Sequence, residues 1–341
     1  MPRFDQRHSA PRRVSVFVVS RLQRSSRRIT PSVARAGLAG FLVCAAHSVA
    51  AQQTPAAAPA ASAPDKGSGT LASQVDIGGG RKLYLQCRGS GKPAVILESG
   101  YHDSSQPWSL ADGYPPAVLL RVARFTTVCA YDRPGTLLYT DPPRITDRSS
   151  PVAMPRTARE VASDLHALLA VARIPPPYIL VAHSLGGLFV RLYAQTYPDQ
   201  VGAMVFVDAF PAELPKLFGA QWPAYRRVLD NPLPQFENNH DFEQIDVAAS
   251  VTQIETAPAL RRMPLVVLTK SQPFARPPDP VGFEFAELER IWPRGAEDLV
   301  KLEPDTPHTF ATGSDHYIQI HQPDLVEQAI RLVIDRLKQS R

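Results

Sequence analysis

The segment Val181-Ala182-His183-Ser184-Leu185-Gly186-Gly187 sets a serine among small residues, behind an apolar run and ahead of an amphipathic one. A serine hydroxyl is a poor nucleophile unless a base takes its proton, and it must stand on a turn sharp enough for substrate to reach it. Ala182 and Gly186, two residues to either side of Ser184, leave room for such a turn; alanine fills the first place of the commoner G-x-S-x-G form. The chemistry indicated is nucleophilic catalysis through Ser184, and the alternative is a serine in an incidental tight turn. His183 reads as a packing and hydrogen-bonding residue. The histidines are scattered without a metal-ligand spacing, so no metal site is expected. No glycine loop has the dinucleotide or P-loop form, so no cofactor is expected either.

Such a serine needs a strand behind it and a helix in front, and the surrounding pattern supplies both. Lys82–Cys87 alternates like a half-exposed strand. Ala94–Leu97, Phe125–Tyr131, Tyr178–Ala182, Ala203–Val207, Leu265–Leu268 and Thr309–Ala311 read as strands. Thr157-Ala-Arg-Glu160 has the form of a capping box, and Val161, Leu165, Leu168 and Leu169 behind it share one helical face. A helix follows Ser184, and Asp324–Lys338 closes the chain behind Pro323. Strands alternating with helices imply a mostly parallel sheet covered on both faces. Between Asp208 and Leu265 no strand pattern appears, yet Leu217, Phe218, Trp222, Tyr225 and Val228 fall there. A lid or cap over about 213–262 is expected, the alternative being an insertion that only packs on the sheet edge.

Five segments in order, Leu97-Glu-Ser-Gly100, Ala130-Tyr-Asp-Arg-Pro-Gly135, Ala182-His-Ser-Leu-Gly-Gly187, Val205-Phe-Val-Asp-Ala209 and Gly313-Ser-Asp-His-Tyr-Ile-Gln-Ile-His-Gln-Pro323, give residues 74–341 a plain resemblance to the α/β-hydrolase family. The form around Ser184 is similar to that of lipases and esterases. It differs from haloalkane dehalogenases and epoxide hydrolases of this fold, which carry Asp at the nucleophile position. The resemblance implies an eight-stranded, mostly parallel sheet with the lid inserted after the sixth strand. It also implies a base histidine in the loop after the last strand. His308 lies just ahead of that strand, and His321 reads as a surface or capping residue. His316 has the family's spacing to the closing helix and is the expected base.

Family members most often place the acid after the penultimate strand, where Leu268-Thr-Lys-Ser-Gln-Pro273 offers no carboxylate before Asp279. Others place it at the end of the preceding strand, where Asp208 stands. Asp208 is therefore the expected acid, with Asp279 and Glu213 as alternatives and a helix cap as its structural reading. For the oxyanion hole the resemblance implies the backbone N–H groups of Leu185 and Tyr101, the latter because Ser99-Gly100 stands where the family has His-Gly. His102 and Asp103 are expected to line the pocket, and Asp132-Arg133 to form an ion pair holding nearby loops. The implied activity is cofactor-free cleavage of a small-molecule carboxylic ester through an acyl-enzyme. The alternatives are acyl transfer, amide, thioester or C–C bond hydrolysis, and a non-catalytic binding protein.

Charge and cysteines speak to location. Residues 1–51 hold nine arginines and one acid, a formal +8, which against +5 for the whole chain leaves −3 for the rest. The basicity belongs to the leader, so nucleic acid is not an expected partner. A basic stretch, an apolar run Ala36–Ala46 and small residues at Val49-Ala50-Ala51 read as an export signal over 1–51. The run is shorter than the roughly 20 residues a stable span needs. A periplasmic or secreted enzyme is expected, the alternative being one held at the membrane by an uncleaved segment. Residues 52–73, rich in Ala, Pro, Gly and Ser, read as a disordered linker. Without the leader, Cys87 and Cys129 remain as a disulfide candidate or as two buried thiols. The resemblance puts their strands side by side and implies the disulfide.

Overall fold

The computed structural model describes residues 70–341 apart from 113, 231–233, 276–282, 340 and 341. The expected export signal, nearly all of the expected linker, and Asp279 lie outside these residues. Strand β1 (Leu71–Gly78) begins three residues inside the stretch read as a linker and pairs antiparallel with β2 (Arg81–Arg88). Gly79 and Gly80, with φ of 64° and 76°, form the turn between them. A two-residue turn of that hand needs positive φ at both positions, which glycine adopts without strain.

Leu137–Leu138 and Arg144–Ile145 pair separately; the remaining strands of the main sheet are β3 (Ala94–Glu98), β4 (Val128–Tyr131), β5 (Tyr178–His183), β6 (Val201–Val207), β7 (Leu265–Lys270) and β8 (His308–Ala311). They complete an eight-stranded sheet in the order β1-β2-β4-β3-β5-β6-β7-β8. Only the β1–β2 and β2–β4 pairings are antiparallel. Strands β3 to β7 are buried along their whole length, which is why they read as continuous apolar runs rather than alternating ones. Strand β4 starts later than its apolar run suggests, because the N–H groups of Phe125 and Thr126 return to the Val122 carbonyl and finish a helical turn. Cys87 and Cys129 are direct cross-strand partners on β2 and β4 and are joined in a disulfide.

Nine helices are described: α1 (Val118–Val122), α2 (Ala158–Val171), α3 (Gly186–Thr196), α4 (Leu214–Phe218), α5 (Trp222–Leu229), α6 (Val247–Thr256), α7 (Phe285–Val300), α8 (Ile318–His321) and α9 (Pro323–Gln339). Helices α2, α3 and α7 pack Leu165, Tyr193 and Leu299 against one face of the sheet. Helices α1 and α9 pack Val118, Ile330 and Val333 against the other. The Glu160 carboxylate accepts the Thr157 N–H at 2.8 Å, closing one half of the capping box that starts α2. Helices α4, α5 and α6 fill the segment between β6 and β7, and with α7 they form a third apolar cluster around Phe210, Phe218 and Trp292. Among the described residues no helix is long and apolar enough to cross a membrane.

Candidate active site

Ser184 follows β5 directly and takes φ of 51°, a left-handed conformation for a side-chain-bearing residue. Such a position costs on the order of 1–3 kcal/mol and persists only where its surroundings enforce it. Its N–H donates to the Val207 carbonyl at 3.3 Å, while its carbonyl accepts from Gly187 and Phe210 at 3.0 and 2.8 Å. The turn is possible because Gly186 lacks a side chain. A Cβ there would lie 2.7 Å from the Ser99 carbonyl oxygen and 2.9 Å from Glu98 Cγ. Helix α3 starts at Gly186, so Leu185 stands at its N-terminal cap with its amide near the positive end of the helix.

Asp208 follows β6 in the same way, with φ of 44°. Pairing of His183 with Val207 sets Ser184 and Asp208 side by side at the C-terminal edge of the sheet. Asp208 is buried, and its Oδ1 accepts the Lys270 N–H at 3.0 Å. Its Oδ2 lies 2.6 Å from His316 Nδ1. A carboxylate can only accept, so Nδ1 carries the hydrogen and Nε2 is left free to accept a proton. His316 lies in the loop after β8. That loop is tied to the exit of β7 by Ser271 and Gln272, whose N–H groups donate to the Ser314 carbonyl at 3.1 and 2.9 Å. The imidazole is walled by the rings of Phe274 and Trp292, with centroids at 5.0 and 5.6 Å.

His183 supports this arrangement rather than joining it. Its Nε2–H donates to the His316 carbonyl at 2.9 Å. Burial first, and then the neighbouring His316, hold its imidazole well below the usual range, so it stays neutral. The other expected alternatives are engaged elsewhere. His308 begins β8, at the end remote from His316, and its Nε2 bonds Thr269 Oγ1 at 2.8 Å. His321 pairs with Asp315 at 3.2 Å, and Glu213 with Arg191 at 2.8 Å.

The loop after β3 presses on Ser184. A Cβ on Gly100 would come within 2.9 Å of Ser184 Cβ and 2.8 Å of His183 Nδ1, so only glycine permits the approach. The Gly100 carbonyl accepts from Arg133 Nη2 at 2.6 Å. Carbonyl and N–H point opposite ways across a trans peptide, so the Tyr101 N–H is directed away from Arg133. His102 takes φ of 64° and stacks between Tyr101 and Phe242, at 3.7 and 4.4 Å. Burial first, and then the Arg133 charge, bring its imidazole down to about 3. Asp103 accepts from the Tyr139 hydroxyl at 2.5 Å, and burial pushes its carboxyl up to about 6.

Asp132 and Arg133 do not pair with each other. Asp132 pairs with Arg148 at 2.6 Å and also accepts from Ser105 and Thr146. Arg133 is buried between Glu98 and Glu243, with Nη1 and Nε at 2.6 and 2.7 Å from their carboxylates. Each side chain is held by partners from other segments, Asp132 by Ser105, Thr146 and Arg148 and Arg133 by Glu98 and Glu243, which parts the two neighbours. Glu243 is a residue that sequence reasoning missed, since nothing local marks it; Arg133 was expected in an ion pair holding nearby loops and is in one, with Glu98 and Glu243 in place of Asp132, while Glu98 lies in a segment that carries the resemblance but was given no role.

Residues 93–325 match the model of the α/β-hydrolase fold family. An uncharacterised Schizosaccharomyces pombe protein is 28% identical over 149 residues, a match that takes in 38% of this chain and 26% of the relative. The chain thus spans about a quarter of that relative's length. A thermophilic esterase from Thermogutta terrifontis superposes with a TM-score of 0.50 at 17% identity, covering 79% of this chain and 99% of its own. A haloalkane dehalogenase from Agrobacterium tumefaciens also has a TM-score of 0.50 at 17% identity, covering 80% and 98%. Two different chemistries at equal likeness show a shared fold and leave the reaction to the site.

Proposed function

Because the chain belongs to the α/β-hydrolase fold family, we propose that it is a serine hydrolase cleaving carboxylic esters through Ser184, His316 and Asp208. The observation that carries this reading is the 2.6 Å contact of His316 Nδ1 with buried Asp208, beside a serine held at φ of 51°. In this reading Ser184 Oγ attacks the acyl carbon as its proton passes to His316 Nε2. The N–H groups of Leu185 and Tyr101 receive the negative charge that develops on the carbonyl oxygen. The tetrahedral intermediate collapses, the ester C–O bond breaks, and the imidazolium returns its proton to the departing alcohol. Water, deprotonated by His316, then attacks the acyl-enzyme and releases the acid and Ser184. Asp208 holds the imidazole in the required tautomer and stabilises its charged form. Phe274 and Trp292 favour an apolar group on the substrate beside His316.

The Cys87–Cys129 disulfide favours an oxidising compartment, in keeping with a periplasmic or secreted enzyme. A fluorophosphonate probe is expected to modify Ser184, with p-nitrophenyl butyrate hydrolysed by the unmodified protein and not by Ser184→Ala. Undiminished hydrolysis by Ser184→Ala, or a label that maps to another residue, overturns the reading.

A further inference from the structure

Residues 241–246 belong to the segment between β6 and β7, yet they are stitched to the loop beside Ser184, to the turn after β4 and to the chain ahead of α2. The Glu243 N–H donates to the Gly135 carbonyl at 3.0 Å, and the Asp246 N–H to that of Arg156 at 2.7 Å. The Ile245 N–H donates to the Tyr101 hydroxyl at 3.1 Å. Glu243 Oε2 accepts the His102 N–H at 2.7 Å, and Oε1 accepts Arg133 Nε at the same distance. Arg133 in turn donates to the carbonyls of Ser99 and Gly100, at 3.0 and 2.6 Å. Tyr101 is thus bracketed. The carbonyl before it is fixed through Arg133, and the amide after it is fixed by Glu243 directly.

We propose that Glu243 is a positioning residue for the oxyanion hole, setting the direction of the Tyr101 N–H through Arg133 and the His102 amide. This rests on the reading of Ser184 as nucleophile and of Tyr101 as an oxyanion donor. The bracket is rigid because Arg133 and Glu243 are buried, with side chains 2% and 1% exposed, where charge-assisted bonds hold their geometry. Glu98 completes it from the far side, accepting Arg133 Nη1 at 2.6 Å. The segment between β6 and β7 therefore reaches the donor peptide, since a shift of Glu243 moves it. Its residues 241–246 form a strap hydrogen-bonded to the loops after β3 and β4.

Glu243→Gln keeps the shape and replaces one acceptor with a donor that opposes Arg133 or the His102 N–H. A peptide displaced by a fraction of an ångström loses most of a directional bond, so kcat falls about 10- to 100-fold while KM stays within about twofold. Phenylboronic acid forms a tetrahedral adduct on the serine, and its inhibition constant should weaken by the same factor as kcat/KM. Gly135→Ala is the second variant. Its Cβ would meet the Asp241 carbonyl oxygen at 2.4 Å and Glu243 N at 2.6 Å, displacing the strap with every charge left in place. It should give the same kcat loss and the same weakened boronate. The proposal is overturned if either folded variant keeps kcat within about twofold of wild type, or loses kcat with boronate affinity unchanged. Such variants still labelled by fluorophosphonate leave the nucleophile reading standing, whereas a wild-type enzyme that is not labelled at Ser184 overturns both.

Discussion

Asp208→Asn isolates the proposed acid with almost no change of shape. Asn tolerates the left-handed backbone that Asp208 adopts at φ of 44°, so the substitution adds little strain. The carboxamide has one permitted orientation. Asp208 Oδ1 receives the Lys270 N–H at 3.0 Å, and the amide oxygen must take that place or leave a buried donor facing another donor. The NH2 group then faces His316 Nδ1, formerly 2.6 Å from a carboxylate oxygen. Nδ1 is forced to accept, the ring hydrogen moves to Nε2, and the nitrogen proposed to take the serine proton is blocked. The same exchange in a serine-protease triad lowers kcat about 10⁴-fold, or roughly 5 kcal/mol of barrier, and a loss of that order is expected here. The assay is kcat for p-nitrophenyl butyrate, with unfolding in urea showing that the variant is folded. Asp279→Asn, measured alongside, should stay within about threefold of wild type. If Asp208→Asn keeps activity within about tenfold of wild type, or Asp279→Asn suffers the larger loss, the tautomer reasoning and the choice of acid are both wrong.

Neighbouring residues in the loop after β3 should give stability opposite pH dependences. His102, held down to about 3, stays neutral in the fold while the unfolded chain takes up its proton near 6.5. Its contribution is present above about pH 6.5 and is lost as pH falls toward 3, up to about 4–5 kcal/mol. Asp103, pushed up to about 6, works the other way: its contribution is present below about pH 4 and declines by about 3 kcal/mol as pH rises to 6. The two slopes oppose each other between about pH 4 and 6 in wild type, so relative to wild type the urea midpoint should tilt downward with rising pH over that range in His102→Phe, which retains the stacking, and upward in Asp103→Asn; parallel curves for wild type and variants refute the assignments. The disulfide closes a sequence separation of 42 residues, and chain-entropy arguments give it about 4 kcal/mol. Cys87→Ala with Cys129→Ala should lower unfolding free energy by about that amount, and peptides bearing the two cysteines should run as one species until reductant is added.

The residues around Ser184 declared themselves because the turn they make is local. A strand, a small residue, the serine and a glycine that opens a helix are consecutive, and their types answer to steric demands within a few residues. The strands β3 to β7 were legible for a similar reason, since burial on both faces leaves an uninterrupted apolar run. His316 and Asp208 were singled out only with the family resemblance, because local patterns delimit the elements they follow but do not say which loop residues meet. Tertiary structure decided everything that depends on which distant segments meet. Asp208 could be weighed against other acids in the sequence, but only the fold brings it to His316 across 108 positions. Asp132 and Arg133 looked like a pair because they are adjacent, yet each found its partner on a distant segment, Asp132 in Arg148 and Arg133 in Glu98 and Glu243. Glu243 carried no local mark at all. A charged residue in an irregular stretch looks alike whether it faces water or a buried guanidinium, and only the folded chain supplies the guanidinium.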